Sequence, residues 1–299
     1  MANRTDRILV TGASSGFGKL TAETLARAGH RVFAGMRDPN GKNAAARDDL
    51  LSKGGSLEVV ELDVTSDASV DAAVALMDGR AGGIDVVVNN AGIAGLGMIE
   101  SFTVEQARAM YEVNVLGVHR LNRAVLPIMR RGNRGLLIHV TSTIGRVVMP
   151  FLAIYVSTKF ALEALAEGYR YELAPSGIES IIVEPGTFPT KLGANLVHPA
   201  DPGRAEAYPA LLPGLQGLGS MLAAMATDPN APNPQEVADA ILRLVEMPAG
   251  KRPIRTIVDQ PMRPLVEEIN RLTDQIQAQA MGGMGMSGLL TPAILDESV

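Results

Sequence analysis

Tyr155 and Lys159 stand four positions apart in the run Tyr155 to Leu173, whose Ala-rich amphipathic pattern reads as a helix. At that spacing both side chains project from one helix face. The pairing has a chemical use. A phenol titrates near pH 10, and bringing it to neutrality takes about 4 kcal/mol of preferential stabilisation of the phenolate. An ammonium a few ångströms away, in a site shielded from water, supplies part of that and makes the phenol a proton donor and acceptor. The same spacing occurs on ordinary amphipathic helices, so the pair gains meaning only from its surroundings. Ser142 ends an apolar strand run thirteen residues before Tyr155, where its hydroxyl can donate to the same substrate oxygen. Asn114 falls inside a long helical run. A short amide is poorly placed there unless it kinks the helix, binds water or is simply a satisfied buried group.

A second constellation lies near the N-terminus. Thr11, Gly12, Ala13, Ser14, Ser15, Gly16, Phe17 and Gly18 spell TGxxxGxG directly after an apolar strand run and before a helical one. Glycines at such a turn let a pyrophosphate approach backbone N–H groups at the positive end of a helix, the arrangement of a dinucleotide site. The positive nicotinamide of an oxidised dinucleotide would add to the ammonium's effect on the Tyr155 phenol. After the second strand run the sequence reads Gly35, Met36, Arg37, Asp38. An acid in that stretch would bind the ribose hydroxyls of NAD. Met36 holds the expected slot, and Arg37 offers a planar cation suited to the 2′-phosphate of NADP. We therefore expect NADP(H) to be preferred over NAD(H); the alternative is a solvated Arg37 with Asp38 on the ribose. Asp63 and Val64 end the third run beside the expected adenine position, although Asp63 also reads as a turn residue. Asn89, Asn90, Ala91 and Gly92 end the fourth in a polar turn.

These residues need a scaffold that brings strand ends together. Short β-branched runs recur at Ile8–Val10, Arg31–Ala34, Leu57–Leu62, Ile84–Val88, Leu136–Val140 and Ser180–Val183. Helical stretches alternate with them at Thr21–Ala28, Ser66–Met77, Val104–Met129 and Tyr155–Leu173. The strand runs are apolar on consecutive residues, which predicts burial on both faces of a mostly parallel, doubly wound α/β sheet of Rossmann-like type. Such sheets bind ligands beyond the carboxyl ends of their strands. The expected catalytic domain covers 1–260, with a Pro/Gly/Met-rich cap at about 191–234 that includes a helical piece near Gly217–Ala226. A helix at Pro234–Glu246 and a strand at Arg255–Val258 complete it. Residues 261–299 read as a helix from Pro264 and a Gly/Met-rich tail, Met281–Leu290, either mobile or docked on a partner subunit.

Composition narrows the classes. With 46% hydrophobic and 20% charged residues, the 299-residue chain can bury a large core. A net charge of −5 gives no general pull toward nucleic acid or an anionic membrane. The absence of cysteine removes disulfides, thiolate nucleophiles and thiolate metal sites. The first residues carry charges without the apolar segment of a secretory signal, and no apolar stretch reaches the roughly 18 residues of a membrane span. A cytoplasmic protein is expected. His30, His119, His139 and His198 show no ligand spacing, so no metal is expected, and His139 reads as a buried, hydrogen-bonded residue.

TGASSGFG, LDV, NNAG, Asn114, Ser142, YVSTK and the PGTFPT segment from Pro185 to Thr190 resemble, in order and spacing, the single-domain branch of the short-chain dehydrogenase/reductase family. The resemblance runs from Arg7 to Thr190. It implies that Tyr155 is the general acid/base, that Ser142 orients a carbonyl, and that Lys159 binds the nicotinamide ribose and tunes Tyr155. It further implies that Asn114 holds a water relaying protons, and that Pro185, Gly186, Thr187 and Thr190 hold the carboxamide and phosphate ends of the nicotinamide half. A homodimer or homotetramer built on the long helices is implied as well. Two features depart from the pattern: Phe17 replaces a small aliphatic residue, and the C-terminal extension is longer than usual.

Two other classes bear on the same residues. A catalytically silent dinucleotide-binding regulator would have little need of Ser142, Tyr155 and Lys159 together. A nucleotide-sugar epimerase or dehydratase would resemble a TGxxGxxG spacing and carry a larger substrate domain. No GxSxG elbow supports a serine hydrolase. The segments facing the substrate, Ile93–Met98, Val147–Phe151, Phe188 and the cap, are mostly apolar. They predict a lipophilic carbonyl or secondary alcohol substrate, or else simply pack the cap onto the sheet.

Overall fold

The structure, a computed structural model, describes residues 5–293. The outermost parts of the charged N-terminal segment and of the C-terminal tail, 1–4 and 294–299, lie outside the described residues.

Strand β1 (Arg7–Thr11) leads through α1 (Gly16–Arg27) to β2 (Arg31–Met36), and α2 (Ala44–Ser52) to β3 (Leu57–Glu61). Then come α3 (Asp67–Ala81), β4 (Val86–Asn89), α4 (Val104–Tyr111), α5 (Gly117–Arg131) and β5 (Gly135–Val140). The chain continues through α6 (Ala153–Leu173), β6 (Ile178–Pro185), α7 (Lys191–Ala194), α8 (Leu212–Met225), α9 (Gln235–Glu246), β7 (Arg255–Val258) and α10 (Arg263–Gly283). The seven strands form one sheet in the order β3-β2-β1-β4-β5-β6-β7, and every pairing is parallel.

The expected doubly wound sheet is present, and the consecutive apolar residues of its strands have the expected cause. Ile8 and Val10 pack with Ala22 and Leu25 of α1 and Val237 and Ile241 of α9 on one face. Leu9 between them packs with Val70 and Met77 of α3 and Leu121 and Val125 of α5 on the other. The strand order reverses between β1 and β4, so the crevice for a ligand opens beyond Thr11 and Asn89. Thr11 bridges that point, its Oγ1 accepting hydrogen bonds from the Asn90 and Ala91 N–H groups at 2.9 Å each. Among the described residues no helix is long and apolar enough to cross a membrane.

Two expectations about local structure need correction. The stretch Val104–Met129 is two helices, with a π turn at Glu112–Leu116 between them. Asn114 sits in that turn because its side chain bonds to residues far away in sequence, which competes with regular helical winding. The Gly/Met-rich tail folds back on its own chain: Arg170 donates to the Leu290 carbonyl, and Ala293 N–H donates to the Ala174 carbonyl at 2.7 Å.

His139 is buried as expected. Its Nε2 meets Ser180 Oγ at 3.1 Å; because that hydroxyl donates to the Ala166 carbonyl, it accepts from His139. Burial pushes the imidazole down to about 3. A folded-state value below the ordinary 6.5 means that the neutral ring's contribution is present above pH 6.5 and lost as pH falls toward about 3. His139→Gln should therefore flatten the acid side of the stability profile. Between about pH 6 and pH 4, urea unfolding should lose roughly 1.4 kcal/mol per pH unit of slope; an unaltered slope would contradict the assignment.

Candidate active site

The glycine turn is shaped by contacts no side chain could share. Gly12 has φ +67°, and a Cβ there would lie 2.9 Å from Ala91 Cα. At Gly18 a Cβ would lie 2.4 Å from Asn90 Nδ2 and 2.5 Å from the Gly12 carbonyl oxygen. The Asn90 amide is itself fixed, donating to the Thr11 carbonyl at 2.8 Å. Ser15 heads α1 in an extended conformation without a capping side-chain hydrogen bond, and the first turn contains no acidic residue. The positive helix end therefore remains available to an anion, which is what a dinucleotide's pyrophosphate requires. Ser14, Ser15, Gly16 and Phe17 are all partly exposed along this turn. Across it runs the segment after β6: Phe188 meets Phe17 edge-on at 5.4 Å, and Thr190 packs over Gly16. Phe17 is thus a packing residue that ties the glycine turn to the Pro185–Thr190 segment. Pro185 is buried, Gly186 is anchored by its N–H to the Val258 carbonyl at 2.9 Å, and Thr187 is exposed.

At the end of β2, Met36 is buried and Arg37 is exposed. Asp38 adopts φ +44°, and its Oδ2 accepts from the Lys42 N–H at 2.7 Å. Its carboxylate is engaged in its own turn, which weakens the alternative in which it binds a ribose. Asp63 Oδ1 accepts from the Thr65 N–H at 2.9 Å and from its hydroxyl at 2.8 Å, so the turn reading of Asp63 holds. Partial burial pushes the Asp63 carboxyl up, but the Thr65 bonds and the Arg37 and Arg120 guanidinium charges outweigh it and hold the carboxyl below the usual range. Val64 packs against Gly117, and its carbonyl accepts from Arg120 at 2.6 Å.

Ser142, Tyr155, Lys159 and Asn114 all surround the carboxyl ends of β4, β5 and β6. Lys159 donates to the Val140 carbonyl at 3.0 Å, with its Nζ 5.7 Å from the centre of the Tyr155 ring. Ser142 donates to the Pro185 carbonyl at 3.1 Å. Asn114 accepts from the Ile93 N–H at 2.9 Å and donates to the Ile93 carbonyl at 2.8 Å and to Thr158 Oγ1 at 2.9 Å. Thr158 in turn donates to the Tyr155 carbonyl at 2.7 Å. The Asn114 amide therefore pins the loop after β4, next to Gly92, to the helix carrying Tyr155. Sequence reasoning passed over Thr158 and the Val140 carbonyl; the one signal available was that Thr158 lies inside YVSTK.

The electrostatics differ from a simple phenol–ammonium pair. Burial raises the Tyr155 phenol above its ordinary value and lowers Lys159 to about 8. Desolvation is the cause acting on the phenol, so in the protein alone Tyr155 is a neutral acid. That state suits a proton donor to a carbonyl oxygen.

A family model described as short chain dehydrogenase matches residues 6–201. A 3-ketodihydrosphingosine reductase from Bacteroides thetaiotaomicron is 37% identical over 183 residues, 61% of this chain and 64% of that protein. The match thus spans less than two thirds of that relative's length. The crystal structure of a short-chain dehydrogenase from Streptomyces avermitilis superimposes with a TM-score of 0.75 at 30% identity, covering 94% of this chain and 98% of that one. An alcohol dehydrogenase from the archaeon Thermococcus sibiricus, complexed with 5-hydroxy-NADP, gives a TM-score of 0.68 at 27% identity, covering 85% and 96%.

Proposed function

The chain belongs to the short-chain dehydrogenase/reductase family, and from that premise we propose that it is an NADP(H)-dependent oxidoreductase acting on a lipophilic carbonyl or secondary alcohol. The observation that carries this reading is the Tyr155–Lys159 pair on α6, with the Lys159 ammonium 5.7 Å from the Tyr155 ring centre, in a chain whose glycine turn leaves the start of α1 uncapped. When bound, the nicotinamide supplies or accepts the hydride. Gly12, Ser14, Ser15, Gly16, Phe17 and Gly18 hold its pyrophosphate, Arg37 its 2′-phosphate, and Asp63 and Val64 border the adenine. Asn90, Ala91 and Gly92 form the floor, Lys159 holds the nicotinamide ribose, and Pro185, Gly186, Thr187 and Thr190 hold the carboxamide end.

The chain's own residues move the proton. In reduction, Tyr155 donates its phenolic proton to the substrate oxygen as negative charge develops there. Ser142 turns its hydroxyl hydrogen from the Pro185 carbonyl to the same oxygen and stabilises that charge. Lys159 stabilises the phenolate left behind, and in oxidation Tyr155 takes the proton back. Asn114 keeps Tyr155 in place through Thr158.

The substrate class rests on the cap. Helix α8 has no charged residue and no fully buried one. It runs over Phe151 and Leu96, with Leu211 just before it and Met221 on it exposed, and Val148 and Met149 exposed near Phe151. A wall of this kind rewards apolar surface. Along a homologous series of methyl ketones with NADPH, kcat/KM should rise about fourfold per methylene, the equivalent of ~0.8 kcal/mol each. A flat series, or a preference for small charged keto acids, would contradict the assignment of substrate class.

A further inference from the structure

One turn beyond Lys159 on α6 lies a group of buried charges that the proposed chemistry does not use. Glu163, 3% exposed, accepts from Arg255 Nε at 3.1 Å. Gly145 lets the turn after β5 lie close against this part of α6, since a Cβ there would meet Glu163 Cγ at 3.1 Å and the Lys159 carbonyl oxygen at 3.4 Å. Arg255, projecting from β7, also pairs with Glu167 of α6, with Asp274 of α10 at 3.0 Å and with Glu184 of β6 at 3.8 Å. Helix α10 closes the group: Asn270 donates to Glu184 at 2.8 Å, Gln277 donates to Glu167, and Thr273 accepts from Arg146 at 2.6 Å.

We infer that Glu163 is a positioning residue for the reaction: its carboxylate, anchored by Arg255 and enclosed by α10, keeps the buried Lys159 ammonium charged beside Tyr155. The inference rests on the roles proposed for Tyr155 and Lys159. The groups facing the Glu163–Lys159 pair are Tyr155 and Glu167 on α6, Thr141 and Arg146 after β5, Glu184 on β6, Arg255 on β7 and Asp274 on α10. Burial, reinforced by the charge of Glu163, pushes the Glu184 carboxyl up to about 8, so it keeps its proton at neutral pH. Burial pushes the Glu163 carboxyl up as well, and the guanidinium groups of Arg255, 3.1 Å away, and of Arg146 oppose that rise and favour its ionised form. Burial alone drives Lys159 down, and the Glu163 carboxylate is the charge that pushes it back up. Glu163 does not touch the reacting atoms and acts through Lys159.

The test reads Lys159 directly. Competitive acetylation with acetic anhydride across a pH series, followed peptide by peptide by mass spectrometry, gives the Lys159 midpoint without requiring turnover. Removing the carboxylate makes the ammonium easier to deprotonate, so Glu163→Gln should lower the midpoint by about one pH unit. The alkaline limb of kcat/KM for carbonyl reduction should fall with it, and Glu163→Asp should restore most of both shifts. An unchanged midpoint in a folded Gln variant overturns the inference, and so does a shifted midpoint with an unmoved limb. Should the Gln variant not fold, Glu163→Asp, whose carboxylate is one methylene further from Lys159, should shift the midpoint in the same direction by a smaller amount, and no shift overturns the inference. If the wild-type protein turned over no carbonyl, the labelling arm would still report on Glu163, so failure of this inference and failure of the proposed function are distinguishable.

Discussion

Tyr155→Phe is expected to lower kcat for carbonyl reduction by about a thousandfold while NADPH binds within about twofold of wild type, the size of a lost general acid. The variant removes one hydroxyl and little else. The Tyr155 ring is nearly buried beside Lys159, and the helix carrying it is fixed by Thr158 and Asn114 through backbone groups that phenylalanine keeps. Because burial raises the phenol and lowers Lys159, the protein by itself favours a neutral Tyr155. The missing hydroxyl should therefore cost reduction its proton donor directly. In the oxidative direction the loss should be at least as large, since ionising the phenol needs the added positive charge of an oxidised nicotinamide. Steady-state rates in both directions, with cofactor binding measured on the same preparation, check this.

Arg37→Ala should weaken NADPH about thirtyfold, equivalent to ~2 kcal/mol for a charge-assisted contact to a phosphate, and leave NADH within about twofold. The reasoning is by position. Met36 is buried and carries no charge, and the Asp38 carboxylate is occupied by the Lys42 N–H. Arg37 is exposed, and its charge helps hold the Asp63 carboxyl below the usual range. With no tryptophan in the chain, the fluorescence of bound reduced nicotinamide can be titrated against a low background. Equal losses for both cofactors would remove Arg37 from the 2′-phosphate site.

The sheet was legible because its chemistry is local. Residues such as Ile8, Leu9 and Val10 are apolar in succession since both faces of β1 are covered, and that pattern is written in adjacent positions. The glycine turn and the YxxxK pair were legible for the same reason. Helix α2 was not, because Leu50 is its one buried residue and its sequence carries little amphipathic signal. The π turn was hidden because it depends on Asn114 reaching Ile93 and Thr158, 21 and 44 residues away. The buried group around Arg255 was hidden likewise, since Glu163, Glu184 and Asp274 meet only after β6, β7 and α10 are in place. The direction of the Tyr155 shift depends on how far desolvation exceeds pairing, and spacing along a helix does not contain that quantity.

The most direct test of the central claim, that a phenol on α6 exchanges a proton while hydride passes between nicotinamide and substrate, is stoichiometry. Wild-type protein, NADPH and a lipophilic ketone are mixed, and reduced cofactor lost, alcohol formed and oxidised cofactor released are counted. The expected result is one-to-one-to-one for wild type and almost no conversion for Tyr155→Phe in the same time. Conversion by the variant at the wild-type rate, or wild-type protein that binds NADPH yet never consumes it, would contradict the claim.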